Sequence, residues 1–282
     1  MGRCLSQAHG GSHLSEFEKL KIVTKYELLK QFRRKRFYGA LVLTLLAVIL
    51  IIALYKGLDI PGKLPALITD SPELFALFVT SAGATIPIFA AVFFAGDSIA
   101  SEFEHKTGYI LFPNPVKRST LVVGKYIACL TVTALIVILA YVTTVIALVG
   151  IYQQLPIEVF GSLALALVYA NSVLGIAFLY SSLLKGSMGA TIATLLTIML
   201  VFSVIEVSLI FANIDPWFMH GYAGDSIASV YGIPFAAAWG GGMPAGMEER
   251  SPDPATSFFV MLGYFIVPFI LSIWLAKRRE ML

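Results

Sequence analysis

The stretch GDSIASEFEHKTGYILFPNPVKRSTLVVGKY, residues 96–126, connects two long apolar segments of the chain. Its first residues are typical of a helix start, because the side chain of Asp97 or Ser98 can accept a hydrogen bond from a free N–H group of the first turn. Asp97, Glu102 and Glu104 also place negative charge towards the N-terminal part of that helix, where the helix dipole favours it. The stretch therefore predicts a short polar helix between two hydrophobic ones.

The second half of this stretch ends the short helix and leads into the next long one. Pro113 and Pro115 stop a helix, since proline disfavours helical backbone at the residue before it. Lys117 and Arg118 follow, and the next apolar run begins directly after them. We expect a short helix, a rigid turn and a basic anchor, which together could transmit force from a docked partner into the two flanking helices.

The composition of the whole chain indicates where those apolar segments lie. Of its 282 residues, 58% are hydrophobic and only 13% are charged, against about 25% charged residues in an average soluble domain. A chain with this much apolar surface would not stay a soluble monomer. Its two cysteines give neither a disulfide framework nor a zinc-ligand spacing. We therefore predict an integral membrane protein, with no metal site and no nucleic-acid partner.

Six apolar segments are long enough, or nearly so, to cross the membrane as helices, which takes about 20 residues. They are residues 38–55, 74–96, 121–151, 159–184, 188–212 and 257–276. We expect an all-α membrane domain over 38–282, with a polar loop at 97–120 and a long loop at 213–256.

Lysine and arginine residues orient such helices, because positively charged loops stay on the cytoplasmic side. Of the 20 in the chain, only Lys56, Lys63 and Arg250 lie in the loops after the first, third and fifth segments. The other 17 lie before segment one, in or beside the loops after segments two and four, and in the tail. This asymmetry predicts that both termini are cytoplasmic, which requires an even number of spans.

The heptapeptide AGDSIAS occurs twice, at 95–101 and at 223–229. The predicted topology places the first copy on the cytoplasmic side and the second on the outer side. The flanking sequences differ and no longer repeat joins the two halves, so an inverted repeat of the transporter type is not indicated. We interpret the first copy as the start of the short polar helix, and the second as a similar cap that begins an outer helix.

The loop after segment two resembles that of the ABC-2 family of ABC-transporter permeases, in the branch near the NosY-like proteins. That family's loop runs roughly D-x-I-A-x-E-x-E-x-G-T, followed by P-V-S-R and then G-K. The matching residues stand at the same spacing: Asp97, Ile99, Ala100, Glu102, Glu104, Thr107, Pro115, Val116, Arg118, Gly124 and Lys125. Lys106 and Lys117 replace the family's usual glycine and serine. The six spans and the basic N-terminal segment extend the resemblance over nearly the whole chain.

The resemblance implies a type V exporter-like fold, in which residues 1–37 supply a leader and a connecting helix along the inner membrane surface. It implies that a separate ATP-hydrolysing subunit, present in two copies, docks on the coupling loop at 97–120. It also implies a second six-span subunit, identical or related, in the lipid bilayer of the plasma membrane. The ATPase-coupling residues would be Asp97, Glu102, Glu104, Thr107, Pro115, Arg118 and Lys125.

ATP chemistry is expected on that partner. The chain has no G-x-x-x-x-G-K-[ST] phosphate loop. We therefore expect it to be no enzyme and to hold no cofactor, with ATP and magnesium bound by the partner subunit. H-E-x-x-H, G-x-S-x-G and paired intramembrane aspartates, which would indicate an intramembrane enzyme, are also missing from the sequence.

Two polar residues inside predicted spans are candidates for a translocation path. Glu206 is an acid well inside a span, where a charge is expensive and must face the bundle or a watery cavity. Asn171 suits a hydrogen bond between helices. Glu206 also supports an alternative, a stand-alone secondary transporter or channel driven by an ion gradient, but that alternative leaves the loop at 97–120 unexplained. The leading prediction is the permease subunit of an ABC exporter.

Overall fold

A computed structural model gives the architecture of the chain and describes residues 15–59, 62, 70–82, 85–104, 117–233 and 251–278. Within these ranges the protein is helical throughout its regular structure and contains no strand, as predicted. Six helices are long and apolar enough to cross a membrane, which confirms the predicted number of spans.

The helices follow the predicted spans in order. A surface helix α1 (Glu16–Arg33) precedes span one, which is α2 (Lys35–Gly57). Span two consists of α3 (Pro72–Ala82) and α4 (Thr85–Ala95) and leads into a short helix, α5 (Ala100–Glu104). Span three is α6 (Arg118–Tyr152) and span four is α7 (Glu158–Leu183). Span five consists of α8 (Ser187–Leu196), a π-helical turn (Thr197–Phe202) and α9 (Ser203–Phe211). It is followed by the short helix α10 (His220–Ser229) and by span six, which is α11 (Pro254–Arg278).

Helix α1 has strong local signals at its start and packs closely against span three. The Ser15 hydroxyl accepts from the Glu18 backbone N–H while the Glu18 carboxylate accepts from the Ser15 backbone N–H, a reciprocal capping box. α1 then lies against the first turns of α6, where Gly124 has no side chain. A Cβ at that position would lie 2.6 Å from Val23 Cγ1, so glycine permits the contact between these two helices.

Two of the spans contain proline. Pro87 is buried within α4 of span two, and in span six α11 continues through Pro268. Proline has no N–H group to donate to the preceding turn of a helix, so both helices lack one backbone hydrogen bond there. Residues 83–84, between α3 and α4, lie outside the described residues.

Helix α7 lies at the centre of the bundle and packs against α11, α4, α6 and α10. Its contact with α11 is unusually close at Gly175, where a Cβ would meet the Phe265 carbonyl oxygen at 2.8 Å and the Tyr264 carbonyl oxygen at 3.2 Å. Small residues allow such close packing of helices within a membrane, where apolar burial alone does not drive association.

One end of the bundle gathers the segments that the charge pattern assigns to the cytoplasm. Lys117, which precedes span three, lies 3.9 Å from the Glu16 carboxylate of α1. The neighbouring Arg118 donates a hydrogen bond of 3.3 Å to the Lys277 carbonyl near the end of span six. Helix α1, the start of span three and the end of span six therefore meet on one side.

The second AGDSIAS copy does not begin a helix, so that prediction was wrong. α10 starts at His220, with Met219 in extended backbone before it, and residues 223–229 form its middle and end. Gly224 does not break the helix but packs against a neighbour: a Cβ there would lie 2.8 Å from the Tyr169 ring. Asp225 is consequently a mid-helix residue and not a cap.

Candidate functional site

The start of α5 is held by a residue of span four. The backbone N–H groups of Ile99 and Ala100 donate to the Ser181 hydroxyl at 2.9 and 3.0 Å. Two N–H groups that the short helix itself cannot satisfy are thus paired across the bundle. The sequence predicted a cap from Asp97 or Ser98, and this was wrong, because Ser181 of α7 supplies it.

Lys125 of span three lies buried between two carboxylates. Its side chain is 3% exposed, and its Nζ donates to Glu27 Oε1 of α1 at 2.7 Å. The same Nζ forms an ion pair of 2.6 Å with Glu102 Oε1 of α5. A buried charge needs such partners because an unpaired one costs several kcal/mol. Lys125 therefore joins α1, α5 and α6 at one point.

At this junction the neighbouring lysines outweigh burial in setting the pKa of Glu27. Burial alone would raise the pKa of its carboxyl group, but the charge of Lys125 and the hydrogen bond from it act in the opposite direction. Lys30, one turn away at 3.5 Å, adds a smaller contribution of the same sign. The pKa of Glu27 is held below its ordinary value, so the carboxylate stays ionised at neutral pH.

Asp97 forms a second pair of charge contacts next to the first. Its Oδ2 lies 2.6 Å from Arg36 and 3.2 Å from Arg34, at the junction of α1 and α2. The carboxylate is buried, and among the described residues its Oδ1 has no hydrogen-bond partner. The buried ion-pair network, as we call the set Glu27, Arg34, Arg36, Asp97, Glu102 and Lys125, contains as many acids as bases and is therefore close to neutral.

Glu104 connects the other end of α5 to span five. Its carboxylate accepts from the Ser187 backbone N–H at 2.8 Å and from the Ser187 hydroxyl at 2.5 Å. Ser187 is the first residue of α8, and Gly186 before it has no side chain to cap that helix. A negative group at this position satisfies a free N–H and complements the helix dipole.

The remaining predicted coupling residues lie at the border of this site or outside it. Arg118 begins α6 and contacts the end of span six, as described above. Thr107 and Pro115 fall outside the residues that the structure describes.

The structure thus brings together three of the predicted residues, Asp97, Glu102 and Lys125, inside the buried ion-pair network, with Glu104 exposed at its edge. Sequence reasoning did not assign their partners, which are Glu27, Arg34, Arg36, Ser181 and Ser187. The run of charges before span one was a signal for the first three. Nothing in the sequence separates the two serines from the others in the chain.

Glu206 lies at a second polar feature, a cavity of about 310 Å³ between span two, α7, span five and α10. Asp225 and Tyr169 also line the cavity, and the Glu206 carboxylate lies against Gly221. Desolvation by the atoms of the cavity wall, followed by the negative charge of Glu206, raises the pKa of Asp225 to about 7, although the side chain is exposed. Asn171 is elsewhere in α7, where its side-chain oxygen accepts a hydrogen bond from Tyr126. The two predicted translocation-path residues therefore do not share a site.

His220 is buried beside this cavity and acts as a packing residue. Its Nε2 lies 2.8 Å from the Ser172 hydroxyl, and its ring stacks on Tyr169 at 4.6 Å. Burial lowers the pKa of His220 to about 3, so the ring is neutral at physiological pH. Among the residues that the structure describes, no three His, Cys, Asp or Glu side chains are grouped as metal ligands.

This fold and site define a class of protein: a six-span, multi-pass membrane protein whose polar end is organised around a short capped helix. The chain belongs to the ABC-2 family of transporter proteins, whose sequence model matches residues 21–281. No curated protein sequence matches it. Family membership makes it an ABC-transporter permease subunit, distinct from the ATPase, and implies an ABC ATPase subunit as its partner.

Proposed function

We propose that the chain is the membrane half of an ABC exporter of the NosY-like branch, coupled to ATP hydrolysis through the loop at 97–120. In this proposal the full transporter contains two six-span subunits, identical or related, and two ATPase subunits that carry ATP and magnesium. The basic end of the bundle, with both termini, faces the cytoplasm, and the complex resides in the plasma membrane.

The observation that carries this proposal is the attachment of α5 to several other elements. Ser181 attaches the start of α5 to span four. Lys125 links Glu102 of α5 to span three and α1, and Glu104 attaches the end of α5 to span five. A five-residue helix has little stability of its own. These contacts make it a fixed part of the bundle, as a docking element for a partner must be.

The same contacts provide a physical route for coupling. A displacement of α5 by the ATPase subunit would be passed to span four through Ser181 and to span five through Glu104. Span five contains the π-helical turn and Glu206, which lines the cavity near α10. Movement at the cytoplasmic end would thereby reach the cavity through continuous helices.

Capture of the ATPase subunit from native membranes tests the proposal. The tagged chain should retain a protein that contains a phosphate-loop motif, identified by mass spectrometry. Glu104→Arg places a cation where the exposed carboxylate stands, and we expect it to reduce that recovery about tenfold or more. Asp215→Arg, a matched change of an exposed acid between α9 and α10, should leave recovery unchanged. Equal recovery from both variants would remove the docking role from α5.

A second candidate function, gradient-driven transport through Glu206, is favoured by the cavity that Glu206 and Asp225 line. The two functions differ in their need for ATP. Transport by the chain alone in liposomes, driven by an ion gradient and abolished by Glu206→Gln, would favour the second. Within the first proposal, the same cavity forms part of the translocation path.

A further inference from the structure

An apolar groove runs along the outside of the bundle between α2 and α4. Its volume is about 570 Å³, and its walls include Arg36, Gly39, Leu43 and Ala47 of α2 and Phe89 and Phe93 of α4. Leu43 is 63% exposed and Phe93 is 46% exposed. Since both helices belong to membrane spans, the groove opens sideways to the hydrocarbon of the bilayer.

The length of the groove matches one leaflet of a membrane. Eleven residues separate Arg36 from Ala47 along α2, which corresponds to about 16 Å at 1.5 Å per residue. The hydrocarbon core of a bilayer is about 30 Å thick, so one leaflet is about half of that. Gly39 leaves this space open, because a Cβ there would meet nothing within 4 Å. An extended acyl chain has the length and the polarity that the groove requires.

The charge at the mouth of the groove selects the headgroup. Arg36 lies there with its side chain 57% exposed, and its Nη1 contacts the Asp97 carboxylate. A guanidinium has five N–H donors and suits phosphate geometry. Arg33 and Lys35, which precede Arg36 in the chain, are also exposed, while Asp97, the acid that faces Arg36, is already shared with Arg34. The mouth therefore carries a positive charge beside an apolar slot.

We propose that this groove binds one acyl chain of an anionic phospholipid, with the lipid phosphate held by Arg36. Because Arg36 also contacts Asp97 of the buried ion-pair network, the lipid fixes the junction of α1 and α2 as well as the side of span two. The proposal depends on the chain spanning a membrane and is independent of ATPase docking.

Spin-labelled lipids test this directly. The full chain is reconstituted in phosphatidylcholine nanodiscs with phosphatidylglycerol or phosphatidylcholine that carries a nitroxide on its acyl chain, and electron paramagnetic resonance measures the immobilised fraction. About fivefold stronger immobilisation of phosphatidylglycerol is expected from one cation near the surface. Gly39→Leu fills the groove and should remove the immobilised component above the general lipid background for both lipids.

A pair of arginine variants provides the matched control. Arg36→Gln and Arg34→Gln each remove one contact of Asp97, but only Arg36 lines the groove. We expect Arg36→Gln to abolish the preference for phosphatidylglycerol and Arg34→Gln to keep it. Equal effects of the two arginine variants, or no headgroup preference in the wild type, would overturn the proposal. So would a change in oligomeric state by Gly39→Leu with lipid immobilisation unaltered, which would assign the groove to a second copy of the chain. If Gly39→Leu does not fold, the comparison of Arg36→Gln with Arg34→Gln still tests whether the groove selects an anionic headgroup.

Discussion

Lys125 shows how a single residue joins three helices. Its ammonium group is buried and shared by Glu27 and Glu102. Replacing it by methionine would leave two carboxylates facing each other without a cation. Removing one partner from a buried ion pair costs about 3–5 kcal/mol, so we predict a clearly lower midpoint of thermal unfolding for Lys125→Met in nanodiscs.

The control for this prediction lies on the same helix as Glu27. Lys30→Met also removes a cation next to Glu27, but Lys30 is 45% exposed. Exposed ion pairs contribute at most about 1 kcal/mol, so this variant should unfold almost like the wild type. Similar unfolding of the Lys125 and Lys30 variants would mean that the buried ion-pair network adds little stability.

Asp225 gives a prediction about pH. Desolvation at the cavity wall and the nearby Glu206 raise its pKa from 3.8 to about 7, so the folded state binds this proton more tightly than the unfolded chain does. Its contribution to stability is complete below pH 3.8 and is lost as the pH rises towards 7. Glu206 and Tyr169 line the same cavity and are present in both proteins when the wild type is compared with Asp225→Asn.

The measured quantity is the difference in unfolding midpoint between Asp225→Asn and the wild type at pH 5 and pH 8. We expect the asparagine variant to gain a little stability relative to the wild type at pH 8, because the wild type must ionise a carboxyl group beside Glu206, although solvent screens the exposed Asp225 side chain. A difference that is the same at both pH values would contradict the raised pKa.

Helix α5 is the element on which the proposed coupling depends, and its start depends on a residue of another helix. Ser181→Ala removes the acceptor for the Ile99 and Ala100 N–H groups. Loss of a helix cap costs about 1 kcal/mol, which is small for six spans but large for one helical turn. We predict faster hydrogen exchange in residues 97–104 and an unchanged unfolding midpoint.

Ser208→Ala is the comparison for this element. Its hydroxyl donates to the Val204 carbonyl of its own helix. Hydrogen exchange at 97–104 should be the same in this variant as in the wild type. Unaltered exchange in the Ser181 variant as well would show that α5 is held by its other contacts.

The elements also show what a sequence can and cannot predict. The six spans were predictable because a run of about 20 apolar residues has one stable form in a bilayer. The cap of α5 was not, because Asp97 is attracted by Arg34 and Arg36, more than 60 positions away, and leaves the N–H groups to Ser181. The same heptapeptide has two different structures because α10 begins three residues before its second copy. In both cases contacts with other parts of the chain, and not the local sequence alone, determine the structure.

At the scale of the whole molecule, the distribution of lysine and arginine predicts how the bundle is oriented in the membrane. The contacts at Lys117 and Arg118 place α1, span three and the end of span six at one end. We predict that a thiol reagent that cannot cross membranes leaves Lys117→Cys unlabelled in intact cells and labels Ser251→Cys, both in a chain with Cys4 replaced by serine. Cys129 is buried and should not interfere. The opposite labelling pattern would invert the topology.

We propose above that the first AGDSIAS segment, with α5, couples this permease to its ATPase. The most direct measurement is ATP hydrolysis per captured ATPase subunit for Asp97→Ala and Asp225→Ala, the same substitution in the same heptapeptide. We predict a severalfold loss for Asp97→Ala, because the anchor to Arg34 and Arg36 is gone, and retention of both the ATPase subunit and its activity for Asp225→Ala. Equal loss from the two substitutions, or none from Asp97→Ala, would contradict the account.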